Sequence, residues 1–218
     1  MTPRLVYLHS PWVGPDTWTP VAHLLSGDVP DLRSFVVGHE PVERYVENAV
    51  EAAERADVVV GHSGAGPFLP MVAEPADAEF IVFVDAGIPP DPGPHPPNPR
   101  LLELFGRFDD ALRLPPWPTW WEPDVIERLI PDPVIRATFV ESCPSVPRVF
   151  AETPVEVPPG WTDRFDIRYL RLSFAYDDDL ATARTKGWPS LCIDGSHLAP
   201  VTDPDIVASA LRRLLRVS

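Results

Sequence analysis

Ser63 is the residue of this sequence best suited to act as a nucleophile. It lies in the string VVVGHSGAGPF at residues 58–68, where an apolar β-branched run precedes a short turn and the start of a helix. Gly61 and Gly64 allow a sharp turn, and Ala65 stands where the commonest form of this motif has its last glycine. Such a turn exposes the serine hydroxyl above a helix N-terminus. The same string is also compatible with an ordinary glycine-rich turn before a helix. Whether Ser63 is a nucleophile therefore depends on the rest of the chain.

His197 is the candidate base that a serine nucleophile would need. A serine hydroxyl reacts slowly until a base takes its proton, and the base needs a group that orients it. His197 lies in Gly-Ser-His-Leu at residues 195–198, directly after the last predicted strand. Loops at the carboxyl ends of parallel strands meet at one edge of a sheet. We therefore expect His197 and Ser63 to lie close together.

Alternating strand and helix signals position these two residues. Short apolar runs predict strands at residues 5–8, 35–37, 58–60, 80–84, 167–173 and 190–193. Helical segments separate them, and Pro41 is well suited to be the first residue of one such helix. Short connections of this kind are typical of a parallel sheet covered by helices on both faces. The sequence predicts an α/β fold whose sheet has about six mostly parallel strands.

A proline-rich region interrupts this pattern. The prediction divides the chain into a first core part at 1–88, a helical cap insertion at 89–163 and a second core part at 164–218. Proline-rich stretches at both ends of the insertion predict stiff hinges, and short helical pieces lie between them. The insertion is interpreted as a lid over a pocket, with a second face of the core as the alternative.

The composition disfavours two classes of partner. The 218 residues carry a formal charge of −14, which disfavours nucleic acids and anionic membranes. No apolar run approaches the ~18 residues of a membrane span, so a cytoplasmic protein is expected. Cys143 and Cys192 have no metal-binding spacing, and neither a metal nor a cofactor is expected.

Four segments of the chain carry a resemblance to a known family. They are the first-strand loop HSPWVG at 9–14 with Trp18, the turn at 61–65, the strand end at 83–89, and His197 with Pro204 after it. With these segments the chain resembles a short α/β-hydrolase, most closely the branch of plant methylesterases and hydroxynitrile lyases. The resemblance covers roughly residues 4–88 and 165–218. It implies the α/β-hydrolase fold, with Ser63 as nucleophile and His197 as base.

Two acids compete to orient His197. The plant branch has its acid after the penultimate strand, which corresponds here to Asp177 or Asp178 in YDDDL. A subgroup of haloalkane dehalogenases instead has it after the strand that follows the nucleophile, which corresponds to Asp85 in VFVDAG. A carboxylate that closes an apolar strand is costly to bury without a partner such as an imidazole. The run of three aspartates also suits a solvated helix start. Asp85 is favoured, with Asp177 as the alternative.

The oxyanion-binding loop departs from the family pattern. The backbone N–H of Gly64 is one expected donor, but the family's second donor corresponds here to Pro11, which has no N–H. Either the N–H of Trp12 or the hydroxyl of Ser10 would have to replace it. Hydroxynitrile lyases have a substrate-binding threonine at the place of Ser10. The combination of Pro11 and Ser10 therefore raises the expectation of a non-hydrolytic reaction.

Aromatic residues point to an uncharged substrate of modest size. The predicted pocket is lined by Trp12, Phe68, Trp117, Trp120 and Trp121. The leading hypothesis is an esterase or thioesterase that acts on a hydrophobic small molecule through an acyl-enzyme. One alternative is a lyase or cyclase that uses the same residues for acid–base chemistry, and another is a non-catalytic binding protein. The sequence leaves the oligomeric state open.

Overall fold

The computed structural model describes residues 3–108 and 111–216. In chain order its strands are β1 (Leu5–Leu8), β2 (Val58–His62), β3 (Phe80–Val84), β4 (Arg113–Leu114), β5 (Val146–Pro147), β6 (Asp166–Arg171) and β7 (Ser190–Cys192). Five of them form one sheet in the order β1-β2-β3-β6-β7, and β4 and β5 form a separate antiparallel pair. Every neighbouring pair in the large sheet is parallel. The carboxyl ends of its strands therefore lie at one edge.

Helices cover both faces of this sheet. They are α1 (Thr19–Leu25), α2 (Pro41–Ala52), α3 (Leu69–Ala76), α4 (Pro99–Phe105), α5 (Pro123–Leu129), α6 (Pro133–Ser142), α7 (Arg148–Glu152), α8 (Asp177–Thr185), α9 (Ala199–Thr202) and α10 (Pro204–Arg216). On one face, Val59 and Ile81 join a buried cluster with residues of α2, α3 and α8. On the other face, Val60 and Val82 pack in a cluster with residues of α1 and α10. Burial on both faces explains why β1, β2 and β3 are almost wholly apolar, and the predicted α/β class with a mostly parallel sheet is confirmed.

The predicted sheet had one strand too many. Residues 35–37 were expected to form a strand, but Arg33–Val36 form a 3₁₀ helix. Next to β1, an isolated parallel bridge between Val6 and Asp28 takes the place of a sixth strand. Phe35 is fully buried against the rings of Tyr45 and Phe150. Burying this ring in a tight helical turn outweighs the strand preference of the two valines that follow it.

Residues 89–163 contribute both to the core and to two smaller clusters. The described part of this region contains α4 to α7 and the β4–β5 pair. Phe150 and Trp161 are buried in the same cluster as α2 and α3. Phe105, Leu114 and Trp120 form a separate cluster, against which Trp12 of the first-strand loop packs. The C-terminal part of this region is thus anchored in the core, and its middle part packs against the first-strand loop.

Two kinds of feature are missing from residues 3–108 and 111–216. None of the helices there combines the length and the apolar character needed to cross a bilayer. Nor do these residues bring together three or more His, Cys, Asp or Glu side chains that could hold a metal ion.

Candidate active site

Ser63 lies at the sharp turn between β2 and the helix that follows it. The strand ends at His62, and Ser63–Phe68 form a 3₁₀ helix that leads into α3. Ser63 has a φ of 57°, a left-handed conformation that is rarely adopted by a residue with a side chain. Its backbone N–H donates to the carbonyl oxygen of Asp85 at 3.1 Å. Gly66 makes this turn possible, because a side chain there would collide with the backbone carbonyl of Gly87.

A chain of hydrogen bonds connects Ser63, His197 and Asp85. The Ser63 Oγ lies 3.0 Å from His197 Nε2, and His197 Nδ1 lies 2.8 Å from Asp85 Oδ2. Since Nδ1 faces a carboxylate, it carries the proton and donates it. Nε2 is then free to accept the Ser63 hydroxyl proton. This is the arrangement that a general base needs.

Asp85 is fully buried and accepts several hydrogen bonds. The backbone N–H groups of Leu172 and Ser173 donate to Oδ1 at 2.7 and 2.9 Å. The Ser173 hydroxyl donates to Oδ2 at 2.6 Å. Burial acts to raise the pKa of the Asp85 carboxyl, but the hydrogen bonds and charge of His197, with the donors of Ser173, outweigh it and lower the pKa. Asp85 is therefore ionised at neutral pH.

The competing acids lie elsewhere. Asp177 is half exposed, and its Oδ1 lies 3.0 Å from the Arg171 Nε. Asp179 accepts a hydrogen bond from the Ile88 N–H at 2.9 Å, while Asp178 is exposed at the start of α8. Of these carboxylates, only that of Asp85 is within hydrogen-bond distance of His197.

His9 supports the first-strand loop rather than the chemistry. Its ring is fully buried, with Nε2 accepting from the Leu32 N–H at 3.0 Å and Nδ1 donating to the Ser10 carbonyl at 2.9 Å. Burial lowers the pKa of His9 to about 4, so the ring is neutral at pH 7. The Tyr45 hydroxyl donates to the His9 carbonyl at 2.7 Å. These bonds hold the backbone from which Ser10 and Trp12 project.

Ser10 and Trp12 converge on Gly64. The Trp12 backbone N–H points to the Ser10 Oγ, at 3.4 Å. A Cβ atom on Gly64 would lie 2.9 Å from the Ser10 Oγ and 3.0 Å from the Trp12 indole nitrogen. Within the described ranges, no side chain or backbone oxygen accepts the indole N–H. Because Gly64 has no side chain, a small space remains beside Ser63. The Ser10 hydroxyl and the Trp12 indole N–H border this space.

The predicted pocket aromatics occupy different places. Trp12 packs edge-on against Trp120, with ring centroids 5.3 Å apart, and also contacts Phe105 and Phe150. Trp117 packs against Phe139 and Trp121, and Trp121 is 38% exposed. Phe68 is buried in the core cluster beside Tyr45. Trp12 therefore borders Gly64 directly and Trp120 packs behind it, whereas the Phe68 ring belongs to the core.

Two side chains beside Ser63 were missed by the sequence analysis. The Tyr176 hydroxyl lies 3.4 Å from the Ser63 Oγ, and its ring lies nearly parallel to that of His197. His62 donates from Nε2 to the His197 carbonyl at 2.9 Å, and their ring centroids are 4.5 Å apart. Burial, followed by the charge of His197, lowers the pKa of His62 to about 3. Tyr176 immediately precedes the run of three aspartates that contains the alternative acids. This position in the sequence was the signal that could have identified it as a residue of the site.

Comparisons with known proteins identify the family of the chain. The sequence model of the alpha/beta hydrolase family matches residues 5–210. No curated protein sequence matches the chain.

Solved structures share the fold at low identity. An extracellular alpha/beta-hydrolase from a Paenibacillus species, described as homologous to tobacco Salicylic Acid Binding Protein 2, is 18% identical with a TM-score of 0.70, over 97% of this chain and 99% of its own. A methylesterase from Arabidopsis is 15% identical with a TM-score of 0.70, over 97% and 98%. Tomato methylketone synthase I in complex with 2-tridecanone is 13% identical with a TM-score of 0.69, over 99% and 98%.

The family match confirms the resemblance to the α/β-hydrolases that the four sequence segments indicated. The family model spans both core parts and the region between them. The chain belongs to the alpha/beta hydrolase family.

Proposed function

We propose that this protein is a serine esterase or thioesterase that cleaves a hydrophobic small molecule through an acyl-enzyme. The observation that carries the proposal is the unbroken set of hydrogen bonds from Asp85 through His197 to Ser63. Ser63 acts as nucleophile, His197 as general base and then general acid, and Asp85 as the group that orients and stabilises the imidazolium.

In the first half of the reaction the Ser63 Oγ attacks the carbonyl carbon of the substrate. Its proton passes to His197 Nε2, 3.0 Å away, while the carbonyl oxygen takes up negative charge. The tetrahedral intermediate collapses, the bond to the leaving oxygen or sulfur breaks, and His197 returns the proton to that atom. Asp85, whose pKa is lowered by its bonds to His197 and Ser173 despite burial, stays ionised and stabilises the charged imidazole.

The negative charge needs donors, and Pro11 removes the usual second one. We assign this role to the indole N–H of Trp12 and the hydroxyl of Ser10, together with the backbone N–H of Gly64. Their convergence on the position of a Gly64 side chain supports this assignment. The Trp12 backbone N–H is directed to Ser10 instead. Donors aimed at a developing oxyanion typically contribute more than any other single factor in such enzymes.

The substrate class follows from the residues around Trp12. The partly buried Trp12 ring packs on the buried rings of Trp120, Phe105 and Phe150, which makes the surroundings of the first-strand loop apolar. The formal charge of −14 disfavours strongly anionic substrates. The similar structure of tomato methylketone synthase I is complexed with 2-tridecanone, an apolar ligand. An apolar ester or thioester fits these features.

A second candidate keeps the same residues without hydrolysis. Pro11 lacks the donor N–H, and the buried Ser10 hydroxyl has no acceptor for its proton among the described residues. Ser10 could hold a substrate oxygen while Ser63 and His197 transfer protons, as a lyase or cyclase requires. Such an enzyme would react with a serine probe but leave simple esters intact.

Fluorophosphonate labelling tests the proposal. We expect the wild-type protein to be labelled at Ser63 and to hydrolyse p-nitrophenyl or thioester substrates, and Ser63→Ala to lose both properties while it still folds. Mass spectrometry of the labelled peptide identifies the residue. Labelling without turnover of any ester or thioester would favour the lyase or cyclase, and a folded protein with neither property would indicate a binding protein.

Trp12→Phe is expected to lower kcat/KM for ester hydrolysis by about 10²- to 10³-fold. The substitution removes the indole N–H but keeps a ring that can pack on Trp120 and Phe150. Steady-state kinetics on the best p-nitrophenyl ester measures the effect. Trp188→Phe is the matched control, because Trp188 packs against Phe83 and Trp161 in the core instead. Equal losses in the two variants would argue against an oxyanion role for Trp12.

A further inference from the structure

Tyr176 is a polar group beside the nucleophile that the mechanism above does not use. Its hydroxyl lies 3.4 Å from the Ser63 Oγ, a long hydrogen bond of the kind that can shorten when substrate is bound. Its ring lies 5.3 Å from the His197 ring with an angle of 13° between the planes. Tyr176 therefore contacts both the attacking atom and the base.

The loop of Tyr176 is anchored to the rest of the site. Phe174–Tyr176 form a 3₁₀ turn before α8, and the Tyr176 N–H donates to the Ser173 carbonyl at 3.2 Å. The mostly buried Arg171 side chain pairs with Asp177 on one side and lies 3.6 Å from Asp194 on the other. Asp194 belongs to the loop that leads to His197. These contacts hold the Tyr176 loop and the His197 loop together.

The direction of the hydrogen bond follows from the other partners of Ser63. His197 Nδ1 donates to Asp85, so Nε2 accepts the Ser63 proton and the Ser63 Oγ keeps only acceptor capacity. Burial raises the pKa of the Tyr176 phenol well above its usual value, so the hydroxyl is neutral and retains its proton. Tyr176 must then be the donor.

We propose that Tyr176 is a further catalytic residue, whose hydroxyl donates to the Ser63 Oγ when that oxygen leaves the acyl-enzyme. This inference rests on the proposed esterase or thioesterase function. In deacylation, water attacks the acyl carbon and His197 takes its proton. The bond between the carbon and Oγ then breaks, its electron pair goes to Oγ, and Oγ takes the proton from His197. Tyr176 gives up no proton and only donates a hydrogen bond.

Deacylation gains more from this bond than acylation does. Before acylation the Ser63 hydroxyl is already a good acceptor, so the bond exists in the ground state and cancels in the barrier. In the acyl-enzyme, Oγ is an ester oxygen and a poor acceptor. It becomes a strong acceptor only as negative charge develops on it. A hydrogen bond to such charge is worth roughly 10- to 100-fold in rate.

The test separates the two half-reactions in wild type and Tyr176→Phe. We expect the rate of fluorophosphonate labelling, which reports attack by Ser63, to change by less than about threefold. The decay of an acyl-enzyme formed from a p-nitrophenyl ester, followed by mass spectrometry, should slow by about 10- to 100-fold. In steady state, kcat and KM should fall together. Tyr7→Phe is the control for loss of a buried hydroxyl remote from Ser63, and it should match the wild type in both rates.

The outcomes distinguish two failures. Labelling with an unchanged deacylation rate in Tyr176→Phe would overturn the inference and leave the proposed function intact. An equal loss in both rates would also overturn it, since it would indicate a merely structural role. A wild-type protein that is never labelled and forms no acyl-enzyme would overturn the proposed function and this inference with it.

Discussion

Replacing Asp85 with asparagine is expected to lower kcat/KM for ester hydrolysis by about 10³- to 10⁴-fold. The two backbone N–H groups of Leu172 and Ser173 hold one oxygen of residue 85 in place. The asparagine carbonyl would stay there, because those donors require an acceptor. The amide NH₂ group would then face His197 Nδ1, at the present position of Asp85 Oδ2.

This orientation would put the His197 proton on the wrong nitrogen. Facing a donor, Nδ1 would have to accept, so the proton would move to Nε2. A protonated Nε2 cannot take the proton of the Ser63 hydroxyl. Fluorophosphonate labelling of Asp85→Asn should slow by a similar factor, while circular dichroism should still show a folded protein.

Asp177→Asn is the matched control for this prediction. Its carboxylate pairs with Arg171 at a half-exposed position and does not contact His197. We expect a loss of no more than a few-fold, because the asparagine carbonyl can still accept a hydrogen bond from Arg171, which also lies 3.6 Å from Asp194. A larger loss in Asp177→Asn than in Asp85→Asn, with both proteins folded, would contradict the assignment of Asp85 as the orienting acid.

Acid is expected to destabilise the fold by several kcal/mol between about pH 6.5 and pH 4. His9 and His62 are both buried, and burial lowers the pKa of His9 to about 4 and that of His62 to about 3. In the unfolded chain both would titrate near 6.5. Between these values the unfolded state binds more protons than the folded state does.

The sign of this pH dependence follows from the lowered pKa values of His9 and His62. Their contribution to stability is fully present above about pH 6.5 and is lost progressively as the pH falls towards 4 and 3. Asp85, whose pKa is also lowered, adds a further loss only below its unfolded value of 3.8. Urea unfolding at pH 7, 6, 5 and 4 measures the free energy of unfolding.

His62→Gln should flatten this pH dependence by up to about 1.4 kcal/mol per pH unit, because one buried group no longer differs between the two states. His39→Gln is the control for removal of an exposed histidine, and its curve is expected to keep the slope of the wild type. A stability that stays constant from pH 7 to pH 4 in the wild type would contradict the prediction.

Local sequence patterns were sufficient to predict the elements that carry Ser63 and His197. The string at 58–68 predicts a strand, a sharp turn and a helix, and β2, Ser63–Phe68 and α3 have that order. The loop that carries His197 follows β7 as expected, and the parallel sheet brings His197 to Ser63. Patterns of this kind are readable because they depend on residues that are neighbours in the chain.

The strand expected at 35–37 shows where local patterns were insufficient. The two valines after Phe35 favour an extended conformation. The Phe35 ring, however, packs against Tyr45 and against Phe150, which lies more than 100 residues further along the chain, and these contacts favour a 3₁₀ turn. Val37 is 72% exposed, so it gains little from a strand position. Long-range burial of one aromatic ring decided this element.

By itself, then, the sequence determined the α/β-hydrolase fold and the sheet edge to which Ser63 and His197 belong. It left Asp85 and Asp177 as competing acids. Its only signal for Tyr176 was the position before the aspartates, and for Trp12 it considered the backbone N–H and the pocket wall but not the indole N–H as a donor. Only the tertiary structure decided which carboxylate meets His197, because that depends on how two loops after β3 and β6 pack against each other. Contacts between residues about a hundred positions apart leave no periodic trace in the chain, and they appear only when the sheet has formed.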